Sequence, residues 1–433
     1  MDKNQLKKEA YELIRGFKGE SYSFGLDVLD SVGQHAAKCG KSALVIANTK
    51  LHEQNINRIL NSLKKYQVTI TGGKVFPNAK PNTPREDVYR LESYILHFKP
   101  DCIVVVGGGS SIDAAKIANV LASLGVYSPE IDTYLGAGLI TEGLKQTGKK
   151  LYPLVAVEMA ASSGSHLTRY AVVTDPVAGQ KKLIVDDAII PDRAVFDYTV
   201  TTTAPIELTI DGAMDGLSHC LESFYGVSQD KMESLQRISL TGLELILDYT
   251  KKASENPNDL EAREGLGLGT DLGGYAIMIC GTNGAHLSSY SLVDISSHGR
   301  ACGIMNIYYT VFFASNIEDK VRLFGNLLKK RGFISSDLTQ LYGKDLGVEV
   351  AGGLTQFYKS IHFPTKLSEL PGFNDQYIER ALQAAKDPQL EMKLKSLPVQ
   401  INASEVDEYM RPILEAAKTG DFDLIKMKTL VNE

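Results

Sequence analysis

Residues 102–116 read CIVVVGGGSSIDAAK, and the order of residue types in this stretch decides the fold class. Cys102–Val106 is wholly apolar and rich in β-branched side chains, the composition of a strand buried on both faces. Gly107, Gly108 and Gly109 then interrupt it. Ser110 and Ser111 take a helix-cap position, with Asp113 in the first turn of a helix running to Leu124. Glycines between a strand and a helix let the backbone come close to a phosphate, and the helix N-terminus adds N–H donors and a partial positive charge. A pyrophosphate is the natural guest, although a tight turn between buried elements would also use glycines. The stretch is neither GxGxxG nor a Walker A loop, because no GK[ST] follows.

The same alternation extends outward from this turn. Ser42–Ala47 reads as a strand, Glu53–Lys65 as a helix and Gln67–Thr71 as a second strand. Pro84–Phe98 has helical spacing of Val88, Leu91, Tyr94 and Ile95, and Leu154–Val157 is another short apolar strand. Strands alternating with helices predict a doubly wound parallel sheet. Tyr170–Thr174 and Lys182–Val185 resemble a hairpin with Pro176–Gly179 as its turn, and Met1–Glu20 reads as an amphipathic helix. Beyond Pro205 the pattern is helical to the end. The expected organisation is therefore an α/β, doubly wound (Rossmann-like) dinucleotide-binding domain over 1–200 and an all-α metal-binding domain over 201–433. Gly265–Gly274 is glycine-rich but short, and residues 127–149 give no reading.

Composition narrows the function classes. The 433 residues carry 46 Lys and Arg against 52 Asp and Glu, a formal net charge of −6, which gives no electrostatic reason to expect nucleic acid or an anionic membrane surface. Apolar residues at 43% exclude a mainly disordered chain. No apolar run reaches the ~18 residues of a membrane span. The five cysteines form no CxxC pair and are odd in number, which fits a reducing compartment. With no signal peptide in view, the expected location is the cytoplasm.

Four further positions carry chemistry. In AMDGLSHCLE, Asp215 and His219 are four apart, a spacing that places both on one helix face. His286 follows in NGAHLSSYS and His298 in SSHGRACG. Three imidazoles and a carboxylate suit iron(II) or zinc, and ligand softness does not choose between them. The plainer reading is a surface hydrogen bond for the Asp/His pair and packing for the others. His35, His52, His97 and His362 have no such companions and read as structural or exposed. Asn48 ends the first strand, where a carboxylate often reads the adenine ribose. A neutral Asn48 with Lys50 nearby leaves NADP open beside NAD.

Together, the glycine turn and the Asp/His/His/His set resemble the iron-dependent (group III) alcohol dehydrogenases over nearly the whole chain. FPNAKPNTPREDV, GGGSSIDAAK, LIVDDAIIPDRAVFD, AMDGLSHCLESF, SSHGRACGIMN and DPQL carry the likeness. The resemblance implies a dehydroquinate synthase-like architecture and hydride transfer between a small alcohol or aldehyde and NAD(P). It implies a divalent metal, iron favoured over zinc, held by Asp215, His219, His286 and His298. It places Gly107, Gly108, Gly109, Ser110 and Asp113 around the cofactor pyrophosphate, with Ser163, Thr168 and Lys181 flanking the cofactor. A homodimer is expected by the same analogy.

Several positions depart from the family's pattern. Glu158 stands where proline is usual, Met159 and Ala160 where threonines are usual, and His166 where glutamate is usual. The His286–His298 spacing is two residues short. Tyr290 replaces a histidine often found four residues after the third ligand, and is a candidate for relaying the proton to solvent or for simple packing. The competing readings are a zinc enzyme similar to glycerol dehydrogenase or dehydroquinate synthase, and a non-catalytic NAD(P)-binding protein.

Overall fold

The computed structural model describes residues 2–428 apart from Pro176 and Ala178. Its main sheet has six strands: β1 (Tyr22–Gly25), β2 (Ser42–Ile46), β3 (Thr69–Ile70), β4 (Cys102–Gly107), β6 (Leu154–Glu158) and β9 (Arg193–Asp197). Their order is β1-β9-β6-β4-β2-β3 and every pairing is parallel. β4 is buried at all positions, as a central strand covered on both faces must be. Its side chains alternate: Val104 and Val106 join a core continuous with the helical half, while Ile103 and Val105 join a second core with Ile95, Ile112 and Leu121.

The chain runs from β2 out to β3, then returns past β2 to form β4. Ligands of open α/β sheets bind beyond the carboxyl ends of strands where the order reverses in this way. Asn48 lies just past the end of β2, the glycines end β4, and Glu158 ends β6 opposite Gly107. The doubly wound expectation therefore holds, and it puts the glycine turn in the crevice.

A small second sheet has the order β5-β8-β7, with β5 (Gly136–Ala137), β7 (Tyr170–Asp175) and β8 (Gln180–Val185). β7 and β8 pair antiparallel as the expected hairpin. Its turn, Pro176–Gly179, includes Pro176 and Ala178, which lie outside the described residues. The strand expected over Gln67–Thr71 is only Thr69–Ile70, because Gln67 takes a φ of 60° and delays the extended backbone.

The second half is helical. It includes Ile206–Gly226, Met232–Glu255, Leu260–Ile279, Gly284–Ser289 and His298–Phe313. The glycine-rich stretch lies within Leu260–Ile279, where glycines permit close crossings; a Cβ on Gly273 would stand 3.1 Å from the Cβ of His219. The opening helix, Lys3–Lys18, precedes the sheet in sequence but packs on the helical half. Leu6, Ala10 and Ile14 form its buried stripe, and burying a side chain such as Leu6 or Ile14 contributes about 1.5–3 kcal/mol. Lys7 and Tyr11 both reach Glu264, each at 2.8 Å. No described helix is long and apolar enough to cross a membrane.

Candidate metal and cofactor site

Ile206–Gly226 is buried along almost its full length, so Asp215, His219 and Glu222 can share one interior face at spacings of four and three. The short helix Gly284–Ser289 carries His286, and His298 opens the helix His298–Phe313, whose N-cap Ser297 accepts the Arg300 N–H at 3.3 Å. Asp215 Oδ1 is 3.7 Å from His219 Nε2, 3.7 Å from His286 Nε2 and 3.8 Å from His298 Nε2. A tetrahedral site with bonds of about 2.0–2.3 Å has edges of roughly 3.3–3.8 Å, so Asp215 Oδ1 stands at such an edge from all three nitrogens. Among the described residues, the set whose ligand atoms all lie within 4.8 Å of one another is Asp215, His286, His298 and Cys302, with His219 outside it. Asp215 Oδ1 and His286 Nε2 are buried without a hydrogen-bond partner among the described residues. Orphaned buried polar atoms are costly unless a guest satisfies them. Burial holds His219 down to about 4 and His298 well below its ordinary value, so their imidazoles are neutral and their lone pairs free. The residues fit the metal.

A surrounding layer orients these groups. Ser162 Oγ donates to Asp215 Oδ2 at 2.9 Å. His286 Nδ1 is 2.6 Å from Glu222 Oε1, a contact that puts the proton on Nδ1 and leaves Nε2 facing the centre. Glu222 Oε2 also accepts the Asn283 N–H at 2.8 Å. Burial pushes the Glu222 carboxyl upward, but His286 and the Asn283 N–H prevail and hold it below the ordinary range. Ser289 Oγ lies 3.1 Å from His298 Nδ1. The sequence reading missed Ser162, Ser289 and the role of Glu222. Only Glu222 left a signal, seven residues after Asp215 on the same face. Cys302 was missed as well: its Sγ is 3.9 Å from His298 Nε2 and clusters with Asp215, His286 and His298. Burial first, then Asp215 and Glu222, push its thiol well above the ordinary value.

On the sheet side, the helix after the turn begins at Gly109 with Gly108 as N-cap, and no side chain caps it. Ser110 and Ser111 thus sit inside the first turn, not at the cap, and Asp113 lies beyond it. The reason is that Gly108 already has the extended backbone of a cap residue. A Cβ on Gly109 would come 2.4 Å from Ser163 Oγ, so Gly109 and Ser163 are brought together. Ser110 Oγ accepts the Asn82 N–H at 3.0 Å, and Asn78 Nδ2 donates to Ser111 Oγ at 2.8 Å. The PNAKPN segment therefore braces the turn.

The remaining positions differ in their surroundings. Asp113 is buried with both oxygens engaged, by Ser165 Oγ at 2.5 Å and the Val172 N–H at 3.0 Å. Its carboxylate ties β7 to the turn's helix instead of meeting a ligand. Thr168 is buried and its carbonyl accepts Lys116 Nζ at 2.9 Å. Asn48 Oδ1 accepts the Lys50 N–H at 3.1 Å, closing a short turn at the end of β2. Lys181 is buried; burial lowers its ammonium, opposed by Cys302, Asp215 and Asp113. Tyr290 is buried with its ring stacked on His298 at 6.0 Å between centroids. His166, the departure at the family's usual glutamate, is fully buried between two carboxylates.

A doubly wound half with an open glycine turn, joined to a helical half that converges one carboxylate and three imidazoles, defines a dinucleotide-binding metalloprotein. Residues 19–198 match the family model described as iron-containing alcohol dehydrogenase, and residues 209–412 match that of the C-terminal part of the Fe-containing alcohol dehydrogenase family. The chain belongs to the iron-containing alcohol dehydrogenase family. It is 26% identical over 359 residues to the NAD-dependent methanol dehydrogenase of Bacillus methanolicus, covering 82% of this chain and 88% of that protein. It is 25% identical over 400 residues to long-chain-alcohol dehydrogenase 1 of Geobacillus thermodenitrificans, covering 92% and 94%. Among solved structures, a 1,3-propanediol oxidoreductase shares the fold with a TM-score of 0.77 at 22% identity, covering 92% of this chain and 98% of that one.

Proposed function

We propose that the chain interconverts a small alcohol and its aldehyde or ketone using NAD(P), with Asp215, His219, His286 and His298 holding a divalent metal, iron in preference to zinc. The observation that carries the reading is the placement of Asp215 Oδ1 at 3.7–3.8 Å from three imidazole nitrogens. When bound, the ion supplies Lewis acidity to the alcohol or carbonyl oxygen, and the nicotinamide supplies the carbon that gives or takes a hydride.

The chain's own residues then do the positioning. Gly107, Gly108, Gly109 and Ser110 present backbone N–H groups to the diphosphate, with Ser163 beside them. Lys181 contributes a buried positive charge between the two ligands, and Thr168 shapes the floor through the carbonyl that anchors Lys116. Asn48 stands at the adenosine end without repelling a 2′-phosphate. Asp113 supports the turn from behind. Tyr290 seats the His298 ring, and burial pushes its phenol well above the ordinary value, which does not suit a titrating relay. Glu222, Ser162 and Ser289 hold the ligand side chains in one orientation, the preorganisation that near-attack geometry requires. The two domains are 1–200 and 201–433, with Lys3–Lys18 docked on the second. A homodimer and a cytoplasmic location complete the proposal; the five free cysteines accord with a reducing compartment.

The test is anaerobic oxidation of NADH and NADPH by protein loaded with iron(II) or zinc, against short aldehydes and ketones, beside a His298→Ala variant. Metal-dependent turnover that vanishes in the variant is the expected result. Coenzyme binding without turnover on any carbonyl and with either metal would overturn it.

A further inference from the structure

Two departures from the family's usual pattern, Glu158 and His166, meet in the fold. Glu158 ends β6 opposite Gly107 and is buried. Its Oε1 accepts the N–H groups of Met159 and Ala160, each at 3.1 Å, and would lie 3.8 Å from a Cβ on Gly108. The carboxylate therefore sits against the glycine turn. Its Oε2 is 3.1 Å from His166 Nδ1. On the far side of the ring, His166 Nε2 is 3.2 Å from Asp271 Oδ1 and 3.0 Å from the Tyr22 hydroxyl. Asp271 Oδ2 accepts the hydroxyls of Tyr22 and Tyr198, both at 2.7 Å. Tyr22 gives its own proton to Asp271, so its oxygen accepts from His166 Nε2 while Nδ1 donates to Glu158, and a ring that donates from both nitrogens is an imidazolium.

We propose that Glu158 and His166 form a buried charge couple that sets how tightly the glycine turn holds the coenzyme diphosphate. The couple is neutral with His166 protonated and anionic without that proton. The inference rests on reading the turn as the diphosphate site. A buried carboxylate beside that site opposes an anionic ligand, and the imidazolium cancels it.

The charged and titratable groups facing His166 are Glu158 from β6, Asp271 from Leu260–Ile279, Tyr22 from β1 and Tyr198 just after β9. Phe196 of β9 meets the ring edge-on. Lys116, from the turn's own helix, donates to the Ser165 and Thr168 carbonyls on either side of His166. Burial lowers His166, but hydrogen bonds and charge from Asp271 and Glu158 outweigh it and hold the ring above its ordinary value. The ring therefore holds its proton to a higher pH than a free imidazole does.

The experiment titrates the full chain with NADH, read by fluorescence, from about pH 6.5 to 10. The diphosphate keeps its charge throughout this range. The native protein, Glu158→Gln and His166→Gln are compared, with unfolding curves for each. The native Kd is expected to rise at least about tenfold toward alkaline pH, the effect of one uncompensated charge within about 12 Å in a medium of effective dielectric about 20. E158Q should bind more tightly than the native protein at alkaline pH and keep a slope set by the His166 proton, whereas H166Q should lose most of that slope. H166Q should bind at neutral pH as weakly as the native protein does at alkaline pH. A flat native profile, an H166Q variant that keeps the native slope, or an E158Q variant that binds no more tightly than the native protein at alkaline pH overturns the proposal. If a variant does not fold, competition against the native protein decides: ADP-ribose should share the slope and adenosine should not, and equal slopes refute the couple. Failure of NADH, NADPH and ADP-ribose to bind at any pH removes the diphosphate site itself, and this inference with it.

Discussion

At the scale of single residues, the metal site rests on side chains whose freedom has been removed. Glu222 illustrates this, since it touches no centre of its own and fixes the ring of His286 through a 2.6 Å contact. Glu222→Gln keeps an acceptor but loses the charge, so metal affinity is expected to fall about 10–100-fold while the fold persists. Competition against a graded series of chelators would measure it, and an unchanged affinity would mean that the contact does not tune the ligand. His298→Ala should lose metal and turnover together. Asp215, His219, His286 and His298 were legible in the sequence because histidines are few, eight in all, and Asp215 keeps helical spacing with one of them. Ser162 and Ser289 were not legible, because a serine becomes an orienting group only when the fold sets it beside Asp215 or His298. Asp113 was legible as part of the turn's motif, but not as a brace, since Ser165 and Val172 reach it only through the fold.

At the scale of elements, two glycines mark where the backbone itself makes the site. Gly299 lies where His298–Phe313 crosses Ile206–Gly226, and a Cβ there would stand 2.0 Å from the Asp211 carbonyl oxygen and 2.9 Å from the Asp215 Cβ. Gly299→Ala must push apart the two helices that carry the proposed ligands. A cost of about 1–3 kcal/mol or more is expected, with loss of bound metal, readable by thermal melting and metal analysis. Gly109→Ala would drive a methyl into Ser163 Oγ, so it should weaken coenzyme binding while metal content stays native. If both variants lose the same ligand, the two halves of the site are not separate elements. The strands β2, β4 and β6 were legible because they are apolar and β-branched. β1 and β9 passed unread because YSFG and RAVFD are short and mixed in polarity. They are strands because each finds a parallel partner, which periodicity within one segment does not reveal.

At the scale of the whole molecule, the two halves share one core and a few buried polar ties, and the tie through His166 makes stability depend on pH. It links Glu158 of the sheet to Asp271 of the helical half, a relation no local pattern encodes, just as none places Lys3–Lys18 against the second half. His166 is held above its ordinary value in the fold, so between about 6.5 and that raised value the native state keeps a proton the unfolded chain has released. Its contribution is complete below the unfolded value and lost as pH climbs through the folded one. Lys116 works in the opposite sense. Burial lowers it to about 8, so above that pH the unfolded chain binds the extra proton and stability rises until the ordinary lysine range is reached. The native melting curve alone mixes these opposing slopes. The difference between the native protein and His166→Gln isolates the histidine: the gap in melting temperature should be widest at and below about pH 6.5 and close as pH climbs through the folded value. A gap that stays constant from neutral to alkaline pH would mean that His166 holds the halves together by shape and not by charge.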